Sequence, residues 1–262
     1  PGWHIECSAM SGRYLGETFD IHGGGADLIF PHHENEIAQS TCAHGGRPFA
    51  RFWLHNGYLM TEGAKMSKSL GNFYTVHDLL AEFPGEAIRL ALLQTHYRQP
   101  LDFTREGVAQ AKRVLDRFYG ALRATADGTA SAAAVNGVAP DAEGIAALSA
   151  DLNTPLALAV LPERLAALNR AEAAAEKAAA RDALLAAAAP LGLLAQDPAA
   201  WMRGQTGTAA EFDEDAISGR IAARAAARKA RDFREADRLR AELLAEGIVL
   251  EDTAAGTTWR RA

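Results

Sequence analysis

FDIHGGGADLIFPHHENEIAQS, residues 19–40, decides the fold class of this chain. Its first part is a short apolar piece ending in three glycines, which reads as a strand opening into a turn. HHENEIAQSTCAHG then has the polarity of a helix ending near Gly45. A strand, a glycine turn and a helix in succession are α/β texture, in which ligand-binding loops follow the strands. Working outward, HIECSAM (residues 4–10) reads as another strand-like piece, and RFWLHNGYLM (51–60) as a strand ahead of the lysine loop KMSKSLGN (65–72). From Thr75 the periodicity turns helical: VHDLLAEF, GEAIRLALLQTHY and a long stretch from Thr104 through Leu122 space apolar residues three and four apart. Residues 124–140, rich in small side chains, read as a connection, and a second helical block spans about 141–194. DPAAWMRGQTG (197–207) reads as a boundary. Two helices near 213–229 and 233–246 then lead to a strand-like IVLED and the TTWRR end.

The 262 residues, 48% hydrophobic and 23% charged, have the composition of a globular chain of one to three domains. No run is long and apolar enough to cross a bilayer and no leader is evident, so a cytoplasmic location with no membrane partner is expected. The start at Pro1, without an initiator methionine, is expected of a fragment or processed product. Cys7 and Cys42 are too few for a disulfide framework, which leaves a thiol available as a metal ligand. A net charge of -6 argues against a generally nucleic-acid-coating surface. Residues 219–240 are nevertheless basic. Arg220, Arg224, Arg228 and Arg231, spaced four, four and three apart, form either a phosphate-facing stripe or a solvated helix face.

Three groups carry candidate chemistry. The two lysines of KMSKSLGN beside a glycine suit a transferring polyphosphate, although a lysine-rich loop is equally a solvated basic turn. His22 to Gly25 with Asp27 let the backbone approach a nucleotide, Asp27 accepting hydrogen bonds. Finally, His32 and Glu36 share a helix face four residues apart, with Cys7 approaching from a neighbouring strand. Thiolate, imidazole and carboxylate together suit zinc, while the bland readings are a core cysteine and a surface histidine pair.

GWHIECSAM, the HGGGAD and PHHENE runs and KMSKSLGN, in this order, together with DLNTP (151–155) and GIVLEDTAAGTTWRR (247–261), resemble cysteinyl-tRNA synthetase, a class I aminoacyl-tRNA synthetase. The resemblance implies α/β plus all-α architecture: a partial Rossmann-type catalytic domain (1–75), a helical connection (76–125), a DALR-like helical bundle (126–200) and a small anticodon-recognition domain (201–262). The family's N-terminal half, with its His-Ile-Gly-His motif, has no counterpart in this sequence. By the same resemblance, one Zn2+ per subunit is held by Cys7, His32 and Glu36. The family's fourth ligand, a cysteine, is not found here, so binding is expected to be weak unless His33 or water completes the shell. Trp3 is expected to wall the amino-acid pocket, with an ordinary core tryptophan as the alternative. Gly23, Gly25 and Asp27 are expected at the adenosine of ATP, and Lys65 and Lys68 at its phosphates with Mg2+. Arg228, Phe233, Asp237 and Asp252 match positions that contact the anticodon, with Trp259, Arg260 and Arg261 as further candidates. The implied activity is that of a monomeric cysteine–tRNA ligase, which activates L-cysteine with ATP and transfers it to tRNA(Cys). The chain alone is expected to be inactive in activation. A ligase joining cysteine to an amino sugar, which lacks the GIVLED to TTWRR ending, and a non-enzymatic tRNA-binding fragment are the alternatives.

Overall fold

The computed structural model describes residues 2–61, 63–66, 73–125, 139–204, 214–253 and 256–261. They divide into two compact units, residues 1–73, 92–104 and 147–155 in one and the remainder in the other.

In the first unit, α1 (His4–Leu15) precedes β1 (Phe19–Gly25), a five-residue π turn (Ile29–His33), α2 (Glu34–Ala43) and β2 (Ala50–Asn56). The strand expected over residues 4–10 is thus a helix. Alternation of polar and apolar residues from His4 to Ala9 mimics a strand. However, Ile5 is the one β-branched residue there, Glu6 sits in the first turn and Arg13 in the last, which matches the helix dipole. Gly16 ends the helix at φ 94°, a left-handed value that favours glycine. β1 and β2 pair in parallel, Ile21 opposite Phe52 and His22 opposite Trp53. One face of the pair carries His22, Trp53 and His55, whose rings pack with His33 of the π turn. On the other, the cross-strand neighbours Ile21 and Phe52 are each 64% exposed. Phe19, Phe49, Ala50 and Trp53 form a small core at the start of the pair. β3 (Leu59–Thr61) pairs with β4 (Ala64–Lys65) and, in parallel, with β5 (Leu101–Asp102).

The second unit is helical: α3 (Val76–Glu82), most of α4 (Gly85–Leu93), α5 (Arg105–Ala124), the start of α6 (Ala142–Ser149), most of α7 (Thr154–Arg170) and α8 (Ala174–Ala188). α5 buries Val108, Ala111, Leu115, Phe118, Tyr119 and Leu122, the three-and-four spacing read from the sequence. The expected boundary at 197–207 instead carries α9 (Pro198–Met202), too short for periodicity to reveal. Its signals are Asp197, which accepts from the Ala200 N–H at 2.7 Å, and Pro198 in the first turn. The connection read at 124–140 lies mostly outside the described residues. α10 (Glu214–Lys229) and α11 (Phe233–Ala245) pack together, and α11 covers the antiparallel hairpin of β6 (Ile248–Thr253) and β7 (Gly256–Arg261). Ile217, Leu243, Ile248 and Leu250 are its core, with Ile221 and Trp259 against them.

A buried polar cluster ties the helices. Tyr119 donates to Glu86 Oε2 at 2.7 Å, the Leu194 N–H donates to Glu86 Oε1 at 2.6 Å, and the Gln196 N–H donates to the Tyr119 oxygen at 3.1 Å. Trp201 stacks on the Tyr119 ring at 4.4 Å and donates to Asp116 at 2.8 Å. Burial pushes the Glu86 carboxyl above its ordinary range. Tyr119→Phe keeps the ring but strands a carboxylate oxygen and an amide. It should therefore lower unfolding free energy in urea by about 1–3 kcal/mol, and an unchanged midpoint would contradict this linkage.

Candidate metal centre

Cys7 reaches the site from α1, one turn after Trp3, so the two share a helix face. The strand assigned to Cys7 by sequence reasoning is corrected, but its meeting with His32 and Glu36 is found. One ligand atom from each of the three lies within 4.8 Å of the others. His32 lies near the end of the π turn and Glu36 in the first turn of α2, both buried. Glu36 is 0% exposed. His22 Nε2 and His32 Nε2 lie 2.9 and 3.1 Å from its two oxygens. Even so, among the described residues neither oxygen, nor His32 Nδ1, has a partner of hydrogen-bonding geometry. A buried carboxylate left in this state is costly unless a cation compensates it. The sulfur, nitrogen and oxygen donors therefore fit a zinc ion, and the set leaves coordination positions open. Burial, and then the neighbouring Glu36, push the Cys7 thiol up, and a bound dication reverses that preference by stabilising the thiolate.

Trp3 is 60% exposed in this chain and stacks on His32, ring centroids 4.0 Å apart. Sequence reasoning passed over His22 and His55 as metal-site neighbours, although period two along β1 and β2 puts His22, Trp53 and His55 toward one face. His33 Nδ1 lies 2.8 Å from His55 Nε2. Burial, and then His22, lower the His33 imidazole, and the same two causes lower His55.

A Cβ at Gly25 would collide with Asp27 Oδ1, and close approach falls equally at Gly24. A Cβ there would lie 2.9 Å from His33 Cε1 and 3.0 Å from Leu28 Cδ1, whereas one at Gly23 would make an ordinary 3.4 Å contact with the Leu54 carbonyl. Gly24 thus serves the packing of His33. Gly23 and Gly25 lie at the carboxyl end of β1, with Asp27 in the turn that follows. Lys65 lies on β4, its backbone paired with Met60, and Lys68 lies outside the described residues.

Arg220, Arg224 and Arg228 of α10, which the spacing left as a phosphate-facing stripe or a solvated face, meet acidic partners. Arg220 pairs bidentately with Glu246 at 2.6 Å, and Arg224, buried, pairs with both oxygens of Asp252 at 2.8 and 2.9 Å. Arg228 reaches Asp252 at 3.1 Å, and Thr257 donates to it at 2.7 Å. Arg231 lies past the end of α10 in left-handed backbone, φ 63°. These partners, Arg224 first, hold the Asp252 carboxyl well below the usual range. Phe233 is 62% exposed at the start of α11, and Asp237 is exposed one turn on. Trp259 packs on the hairpin core, while Arg260 and Arg123 both pair with Glu251.

Comparison with known proteins places these features in a family context. Residues 1–113 match a model of the class I (C) tRNA synthetase catalytic domain, residues 145–196 a DALR domain, and residues 221–260 a cysteinyl-tRNA ligase anticodon binding domain. Curated cysteine–tRNA ligases from Paramagnetospirillum magneticum and Rhodospirillum rubrum are 63% and 60% identical over all of this chain and 56% of their own length. That of Xanthomonas campestris is 57% identical over all of this chain and 55% of its own. The chain thus spans about half the length of the curated relatives it matches. Among the described residues no helix is long and apolar enough to cross a membrane.

Asp252→Ala would leave Arg224 buried without its partner. Such losses cost ~3–5 kcal/mol in a fully buried pair, but Asp252 itself is 41% exposed, so about 2 kcal/mol is expected after screening. Loss of the β6–β7 amide protection in hydrogen exchange is the readout, and wild-type protection would contradict a structural role for this pair.

Proposed function

We propose, on the premise that this chain belongs to the cysteinyl-tRNA synthetase family, that it carries the thiol-selecting, lysine-loop and anticodon-reading parts of a cysteine–tRNA ligase. The observation that carries the reading is the convergence of Cys7, His32 and Glu36 beside the exposed ring of Trp3. Zinc bound there would supply a Lewis acid that prefers sulfur to oxygen, the atom distinguishing cysteine from serine.

Cys7, His32 and Glu36 would hold the ion from the protein side, and Trp3 walls the amino-acid pocket and excludes water from it. Gly23, Gly25 and Asp27 take the adenosine of ATP, Asp27 accepting from ribose hydroxyls. Lys65 and Lys68 keep positive charge against the polyphosphate, with Mg2+, while the cysteine carboxylate attacks the α-phosphorus and pyrophosphate leaves. The aminoacyl carbonyl then passes to the 3′ end of tRNA(Cys), releasing AMP. Phe233 stacks on an unpaired anticodon base, and Arg228, Asp237 and Asp252 hydrogen-bond base edges, Asp252 from a carboxylate fixed by Arg224. The working division is catalytic residues 1–75, a connection over 76–125, a bundle over 126–200 and an anticodon reader over 201–262, in a cytoplasmic monomer. Residues 221–260, with their anticodon-domain likeness, argue against the amino-sugar ligase.

The chain lacks a His-Ile-Gly-His motif, so by itself it should show background cysteine-dependent exchange of pyrophosphate into ATP. Robust exchange would contradict the need for further catalytic polypeptide. Phe233→Ala should weaken tRNA(Cys) binding by about 1–3 kcal/mol, measured by titration of the chain with the tRNA. Unchanged binding would remove Phe233 from the interface.

A further inference from the structure

We propose that this chain has a second, sulfur-free metal seat, formed by His22 of β1, His33 of the π turn and Glu36 of α2. One ligand atom from each lies within 4.8 Å of the others, with His33 and Glu36 buried. The two oxygens of Glu36 face opposite imidazoles, Oε1 toward His32 and Oε2 toward His22. Both oxygens lack a hydrogen-bonding partner among the described residues, so each side of the carboxylate is available to a cation. His55 Nε2 lies 2.8 Å from His33 Nδ1, which occupies that nitrogen and leaves His33 Nε2 as the one available as a donor to a metal. Two imidazoles and one carboxylate accept nickel or cobalt as well as zinc, whereas the thiolate of Cys7 biases the other seat toward zinc.

The two seats share one carboxylate. Two dications on either side of it, with no second bridging anion, would repel strongly at so short a separation, so the pair of seats holds one ion at a time. Which seat fills depends on the softness of the metal. The inference rests on the same Glu36 as the thiol-selecting reading but not on Cys7, so the two fail separately.

Nickel is the probe. The reduced chain should bind one Ni2+, whose X-ray absorption spectrum shows nitrogen and oxygen neighbours with imidazole features and no sulfur. Cys7→Ser should keep one Ni2+ per chain with affinity within about tenfold of the unsubstituted protein, while His22→Gln should lower it by at least about tenfold. His22 is partly exposed at a strand, and circular dichroism checks that this variant folds. Sulfur in the nickel shell of the unsubstituted chain, loss of nickel binding in Cys7→Ser, or undiminished binding in a folded His22→Gln each overturns the second seat. Weakened zinc binding with retained nickel binding in Cys7→Ser is the expected pattern for two seats.

Discussion

The first unit is organised around a carboxylate withdrawn from water. Glu36 is 0% exposed, two imidazoles stand 2.9 and 3.1 Å from its oxygens, and no hydrogen bond of proper geometry satisfies it among the described residues. Burying an ionised acid is tolerable when a cation or a full set of donors compensates it. Here the surroundings supply ligands: a thiol from α1, an imidazole from the π turn and another from β1. α1, β1 and α2 each contribute one side of the same small volume, so their relative placement and the metal chemistry are one constraint. Gly24 belongs to it as well, since a side chain there would collide with His33.

Much of this was legible in the sequence, for physical reasons that differ by element. α5 was readable because six buried positions recur at helical spacing. β1 was readable because its apolar run ends in glycines. The ligand set Cys7, His32 and Glu36 came from donor types and from a resemblance to a family, and the structure brings the three together. α1 was misread because polar–apolar alternation over six residues imitates a strand when one β-branched residue falls in phase. α9 was missed because five residues give no periodicity, leaving the Asp197 cap and Pro198 in the first turn as its signals. His22 and His55 were missed as a group because strand register, not local spacing, joins them to His33.

The arginines of α10 teach a related point. Spacings of four, four and three do place side chains along one helix side, but what they face is set by a tertiary partner. Arg224 and Arg228 converge on Asp252, thirty residues or fewer along the chain, and Arg220 on Glu246. Charge patterning announced a basic helix; the hairpin that neutralises it became visible in three dimensions. The exposed ring of Phe233, by contrast, has no such claim on it from the hairpin core. A parallel pair of strands with Ile21 and Phe52 open on one face is likewise at odds with the usual covering of parallel sheets on both sides.

The central claim, that Glu36 is buried in order to meet a cation, is tested by measuring zinc bound per chain after equilibrium dialysis of the unsubstituted protein and of Glu36→Gln. The account predicts one zinc in the former and a large loss of zinc in the latter, with the circular dichroism of both alike. Equal zinc content in the two proteins, or none in either, would contradict it.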